Sequence, residues 1–178
     1  KKVLEEKDDE DRTYLHSACA NDLSTGSLIP LLAYLSHEAD IEKMLEQKDN
    51  EGANCLHDAC NYNLCSDSLR LLISFFPSNE SFQLVFGSKN AKNKTPFDLA
   101  ETEEHKQLLQ DPDCWRKCCY WLFCNYQKTF INLLYPSSEQ TLEALTELGK
   151  SYANDKKLKK AIADMRKPVK SSSHRKRK

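Results

Sequence analysis

His16 and His57 are each followed, three residues on, by a cysteine, Cys19 and Cys60, and four further cysteines, Cys114, Cys118, Cys119 and Cys124, crowd a single stretch. Imidazole and thiol are the common ligands of zinc and the common base and nucleophile of covalent catalysis, so both patterns could carry chemistry. Zinc sites, however, favour pairs two to four residues apart separated by a loop from a second pair, and the 114–124 cluster falls on one helical run with no such second pair. Those thiols are expected to pack as small hydrophobes. Cys118 and Cys119, beside Trp121, Leu122 and Phe123, are alternatively placed for acylation and membrane anchoring. No nucleophile, base and orienting residue recur as a set. The expectation is therefore no catalytic residue, no metal and no cofactor.

The elements that position these groups repeat. Residues 8–19 lie over 49–60, with Asp8 on Asp49, Asp11 on Gly52, Leu15-His16 on Leu56-His57 and Ala18-Cys19 on Ala59-Cys60, and a third copy starts at Asn90. Each copy begins 41 residues after the last, and the apolar positions stay in step: Leu28 with Leu69, Leu31-Leu32 with Leu72-Ile73, Tyr34-Leu35 with Phe75-Phe76, Ile41 with Phe82, Met44-Leu45 with Val85-Phe86. A regular period of this length is the mark of stacked supersecondary units. Val3–Asp8 matches Met44–Asp49 in the same register, and the chain has no initiator Met, so the tail of an earlier repeat is expected ahead of the first copy.

With Asp49, Gly52, Leu56-His57 and Ala59 in the second copy and Thr95-Pro96 in the third, these segments resemble the ankyrin repeat, whose pattern is D-x-x-G-x-T-P-L-H-x-A. The resemblance implies an all-α fold, an ankyrin solenoid of helix-turn-helix units joined by short hairpin turns, with His16 and His57 as structural residues bonding a neighbouring hairpin. The usual period is about 33 residues. The excess is assigned to the loops DLSTGS and NLCSDS and to short extra helices in ADIEKMLEQ and SFQLVFG. Asp11 and Asn93 replace the turn glycine, which Asp and Asn tolerate because they enter left-handed backbone regions readily. Asp98 replaces the third histidine. The third copy carries no insertion, and its second helix, EEHKQLLQ, is short and polar, as a terminal capping repeat is.

After Asp111-Pro112-Asp113 the period stops. Apolar residues at 115, 118/119, 122, 126, 130 and 133/134 predict an amphipathic helix over 114–134 that packs on the array. Tyr135–Ser138 reads as a turn, with Ser137 and Gln140 as a capping box for a helix bearing Leu142, Leu145 and Leu148 and closed by Gly149. A basic helix over about 151–166 presents Leu158, Ile162 and Met165 on one side. The remainder, to Lys178, lacks the means to bury itself. Three units are expected: an array over 1–112, a helical extension over 113–166 and a disordered basic tail over 167–178.

The formal charge of −1 conceals a division: residues 1–112 hold 11 Lys/Arg against 21 Asp/Glu (−10), residues 113–178 hold 15 against 6 (+9). No apolar run approaches the roughly 20 residues that span a bilayer, and no secretory signal opens the chain. Eight cysteines in a chain long enough to fold without staples fit a reducing, intracellular compartment. The resemblance implies recognition of another protein through hairpin tips and the inner helix face, here Asp9, Glu10 and Arg12, then Asn50, Glu51, Ala53, Asp58, Asn61 and Tyr62, then Lys92 and Lys94. The acidic balance predicts a basic partner segment and a monomeric binder. Arg166, Lys167, Arg175, Lys176, Arg177 and Lys178 read as a nuclear-localisation run, so the location expected is cytoplasmic or nuclear. The same tail supports an alternative, a regulator associated with nucleic acid, and the array could equally be the targeting part of a larger enzyme or effector.

Overall fold

Three copies of one turn organise the chain. In each, the first carboxylate or amide side chain, Asp8, Asp49 or Asn90, accepts backbone N–H groups two and four residues on: Glu10 and Arg12 at 2.9 Å, Glu51 at 2.9 and Ala53 at 2.7 Å, Lys92 and Lys94 at 3.0 Å. The same residue donates its own N–H to the carbonyl four residues on, at Arg12, Ala53 and Lys94. Closing so tight a loop needs a left-handed residue at its fourth position, and Asp11 (φ 60°), Gly52 (φ 73°) and Asn93 (φ 57°) supply it.

The computed structural model describes residues 6–21, 24–38, 41–126, 145–146 and 148–165, and among them every regular element is a helix. Each turn feeds an N-cap, Thr13, Asn54 or Thr95, that opens a first helix: α1 (Tyr14–Ala20), α4 (Cys55–Asn61) and α7 (Pro96–Leu99). Second helices follow, α2 (Thr25–Glu38) and α5 (Ser66–Ser74), and then the extra short helices expected from the long period, α3 (Ile41–Glu46) and α6 (Asn79–Phe86). The third copy continues into α8 (Glu103–Leu109), capped by Thr102, and α9 (Cys114–Asn125).

Like packs against like from copy to copy: α1 on α4 and α4 on α7, α2 on α5, α3 on α6. The buried set follows the sequence period, with Leu15, Ala18, Leu56 and Ala59 in the first helices, Leu28, Leu32, Leu69, Leu72 and Ile73 in the second, and Met44, Leu45, Phe82 and Val85 in the extra ones. Ala100 is buried too, whereas Phe97, expected beside it, is only half-buried. The reason is local: α7 lasts four residues before Ala100 turns extended (ψ 116°) to reach the Thr102 cap.

Two expectations change in this region. The helix beginning at Cys114 ends at Asn125, because Tyr126 leaves helical values (φ −135°, ψ 45°), and residues 127–134 of the expected helix lie outside the described residues. As expected of an amphipathic helix that packs on the array, α9 makes its principal contact with α5, burying Cys118, Cys119, Leu122 and Phe123. Trp115 fixes the register by donating its indole N–H to Phe76 O at 2.9 Å, and Cys119 Sγ lies 3.8 Å from Ser74 O. Accordingly the first compact unit runs to Pro136, past the division expected at 112, since α9 is bound to the array by its apolar face.

The second unit, Ser137–Lys178, holds a helical stretch at 148–151 and α10 (Lys156–Met165), which starts where Asp155 accepts the Leu158 N–H at 2.8 Å. Leu145, Leu148, Leu158 and Ala161 are buried. Gly149, expected to close a helix, lies inside one; a Cβ on it would stand 3.0 Å from Ile162 Cδ1, so the glycine admits α10 instead. The expected Ser137–Gln140 capping box and the tail from Arg166 onward lie outside the described residues.

Two outcomes are expected. Leu56→Asp places an unpaired charge where no solvent reaches, costing several kcal/mol against a domain stability of about 5–15, and its circular-dichroism melt should show no folded baseline. Truncation after Pro112 removes α9 and uncovers the apolar face of α5, and sedimentation should show association or a clearly lowered melting temperature.

Candidate functional site

The first two turns, the third turn and α4 line a half-open cavity of about 460 Å³. Of the residues expected to bind a partner, Glu10, Arg12, Asn50, Glu51, Ala53, Asp58, Asn61, Tyr62 and Lys92 line it, while Asp9 and Lys94 are exposed beyond its edge. Asp49, His57, Asn90 and Leu99 also contribute, and the sequence reading passed over them as turn, cap and core residues. Their period offered a signal, since Asp49 and Asn90 sit one repeat apart on the turn that forms the wall.

Ladder bonds between turns hold this wall. Asn50 N–H donates to Glu10 O at 3.0 Å and, one repeat on, Ala91 N–H donates to Glu51 O at 2.7 Å. The lysine ammoniums repeat the step, Lys7 to Lys48 O and Lys48 to Lys89 O, each at 3.4 Å. His16 and His57 join turn to helix: Nδ1 accepts the N-cap backbone N–H at 3.2 Å in both, and Nε2 lies 3.2 Å from Ala53 O and 3.0 Å from Lys94 O. A carbonyl only accepts, so Nε2 carries the proton; Nδ1 of His16 also lies 2.8 Å from the Thr13 hydroxyl, and Nδ1 of His57 lies 2.8 Å from Asn54 Oδ1. Burial holds both histidines below the ordinary imidazole value, with the carbonyl bonds opposing it. These are structural histidines with both ring nitrogens engaged.

Charges in the cavity are unevenly matched. Arg12 pairs with Asp8 (3.2 Å) and Glu10 (2.8 Å), and Lys92 pairs with Glu51 (2.9 Å). Asp58 is in no ion pair among the described residues; it is 8% exposed, and its Oδ2 is buried without a hydrogen-bond partner. Desolvation, reinforced by the nearby Asp49 carboxylate and opposed by Arg12, pushes Asp58 up to about 7. Ala53 and Asp58 are thus buried where the reading from sequence expected surface.

The thiols take no part. Cys19, Cys55, Cys60, Cys118 and Cys119 are buried and free, and for Cys19, Cys55 and Cys60 desolvation first of all pushes the thiol up, in Cys60 to about 12. The Cys114 side chain, then burial, does the same for Cys118, and burial does so for Cys119. Such thiols stay protonated and unreactive. Cys118 and Cys119, expected as alternative acylation positions, are closed off by packing on α5, and the exposed cysteines are Cys65 and Cys124. Among the described residues no group of three His, Cys, Asp or Glu side chains is placed to hold a metal, and no helix is long and apolar enough to cross a membrane. The basic run from Arg166 lies outside the described residues. Comparison of the chain with protein-family models, curated protein sequences and solved structures returns no match.

The buried titratable groups set opposite slopes on stability. His16 and His57 titrate lower folded than unfolded, so the unfolded chain binds more protons and stability falls as pH drops below about 6.5. Asp58 titrates higher folded, about 7 against an ordinary 3.8, so stability falls as pH rises from about 4 to 7 and then levels. Asp58→Asn should therefore melt above the wild type at pH 8, match it near pH 4, and leave a profile that rises through the histidine range; melting temperatures measured from pH 4 to 8 check this.

Proposed function

We propose that this chain is an ankyrin-type interaction module that binds a basic segment of another protein across the turns and first helices of its repeats. The observation that carries the reading is the gathering of residues 10–12, 50–62 and 92, distant in sequence, into one acidic-walled cavity. Three further features support it. The same turn, cap and ladder bonds recur at 41-residue steps, which is how a stack of repeats builds a continuous surface from short units. The groups facing outward are short polar side chains, charges and Tyr62, the mixture that suits recognition more than catalysis. The array's −10 charge draws a cationic segment and speeds its capture. On this reading the C-terminal basic run directs the protein to its place in the cell.

Glu10 and Glu51 are exposed, so reversing them to Lys leaves the core intact. Fluorescence anisotropy with labelled basic peptides selected on the wild-type chain should show binding weakened about tenfold at low salt by Glu10→Lys and Glu51→Lys together, a loss that shrinks as salt rises. Equal affinity at both salt concentrations would sink the acidic-face reading. Tight, salt-sensitive binding of duplex DNA to the chain lacking 167–178 would replace it with a nucleic-acid function.

A further inference from the structure

Carboxylates outnumber cations in the cavity, with Glu10, Asp49, Glu51 and Asp58 against Arg12 and Lys92. Its arginine and its lysine are already bonded, Arg12 to Asp8 and Glu10 and Lys92 to Glu51, and two carboxylates remain without an ion pair among the described residues, Asp49 and Asp58. Asp49 spends Oδ1 on the turn, accepting from Glu51 and Ala53. Asp58 spends nothing on the fold that accounts for its Oδ2: a side chain more than nine-tenths buried lines the cavity with one oxygen bonded to nothing. A buried acceptor left open costs stability, so its place in the lining of a cavity calls for an explanation.

From this deficit we infer that the cavity is a subsite for one cationic side chain, a lysine ammonium or an arginine guanidinium presented by the partner, which pairs with Asp58 in the field of Asp49. The inference rests on the proposed recognition of a basic segment and narrows it to a single anchoring residue. Tyr62, half exposed at the end of α4, offers its ring to the aliphatic stem of such a side chain. The cavity's volume of about 460 Å³ is ample for one long cationic side chain. Arg12 lies close enough to attract Asp58 through space, but its own ion pairs are with Asp8 and Glu10, and none is made with Asp58.

Binding and protonation then compete for the same carboxyl. The groups facing Asp58 are Asp49, which raises it, and Arg12, which lowers it; Glu10, Glu51 and Lys92 line the same cavity, and burial holds His57 below its ordinary imidazole value. With Asp58 titrating at about 7, its ionised fraction rises about tenfold from pH 6 to pH 8, and affinity for a cationic side chain should follow.

The test uses the full 178-residue chain, labelled for amide NMR, titrated with Nα-acetyl-lysine methylamide, its arginine counterpart and its glutamine counterpart at pH 8 and pH 6. Expected are saturable shifts at the amides of Asp58, Asn61 and Tyr62 with the two cationic amides and not with the glutamine compound, weakened up to tenfold at pH 6. Asp58→Asn, which keeps the shape of the side chain, should abolish saturation while the rest of the spectrum is unchanged. Carboxyl-carbon NMR of the wild type supplies a second readout: saturating lysine amide should lower the pH at which Asp58 titrates. Shifts that fail to saturate, saturation that survives Asp58→Asn, or an unmoved Asp58 titration overturns the subsite. So does calcium chloride producing the same saturable shifts at equal concentration, which would make the cavity an inorganic cation site. Basic peptides that bind Asp58→Asn as tightly as wild type would leave the acidic face standing and remove the anchor, whereas peptides that bind neither protein would remove the broader reading as well.

Discussion

His16 and His57 each satisfy three parts of the chain at once. One ring nitrogen accepts the backbone N–H of the residue that caps its own helix, and the other donates to a carbonyl 37 residues further on, in the turn of the next copy. A neutral imidazole has one donor and one acceptor, fixed at opposite sides of a rigid ring, so the distance and angle between a helix start and the neighbouring turn are set by the ring itself. The apolar contacts between copies, α1 on α4 and α2 on α5, have no directional preference of their own and take their register from this bond. A charged histidine would keep the bond to the carbonyl but would lose the acceptor that caps the helix, which explains why burial and neutrality go together here.

Asp98 shows the same constraint from the other side. It occupies the histidine position of the third copy, and its Oδ2 accepts the Thr95 N–H and hydroxyl, each at 2.9 Å, so it performs the capping half of the role. A carboxylate has no proton to give a carbonyl and no reach to a further turn. Beyond the third copy the chain enters α9, joined to α5 through Trp115 and through its buried thiols and apolar residues instead of through a turn. Loss of the histidine, shortening of α7 and the switch from turn-to-turn bonding to helix packing are therefore one change, and they mark where the repeating arrangement gives way to a different way of covering the last helix face.

Much of this was legible in the sequence because it is periodic. A residue's own neighbours leave the role of Asp11 or Asn93 ambiguous, but superposition on Gly52 assigns all three to a left-handed turn position, and all three are found there. The extra helices α3 and α6 were visible because Met44-Leu45 and Val85-Phe86 hold register across 41 residues. Where the period stops, so does the information: the extent of the helix from Cys114, the role of Gly149 and the packing of α9 on α5 depend on tertiary contacts that occur once. EEHKQLLQ has the caps and charges of a good helix and forms one, α8, while the helix with the greater apolar surface, α9, takes the position against α5, because burial of apolar area outweighs proximity in sequence.

Asp58 was the hardest residue to read. On the sequence it is a polar residue one place after the structural histidine, in a position that the repeat pattern leaves variable, and solvent exposure is the natural assignment. Its burial comes from two neighbours that the pattern places without regard to it: the second turn, held down over α4 by the Asp49 bonds, and the first turn, where Arg12 is drawn to Asp8 and Glu10. Each of those arrangements is locally favourable, and together they leave a carboxyl enclosed and short of a partner. An unfavourable group of this kind persists only when the surrounding structure over-determines its place, and here Asp58 stands on α4, whose start is fixed by the Asn54 cap. The chemical character of the cavity is thus a by-product of how the repeats lock, and the same bonds that stabilise the stack hold Asp58 where it has no ion pair among the described residues.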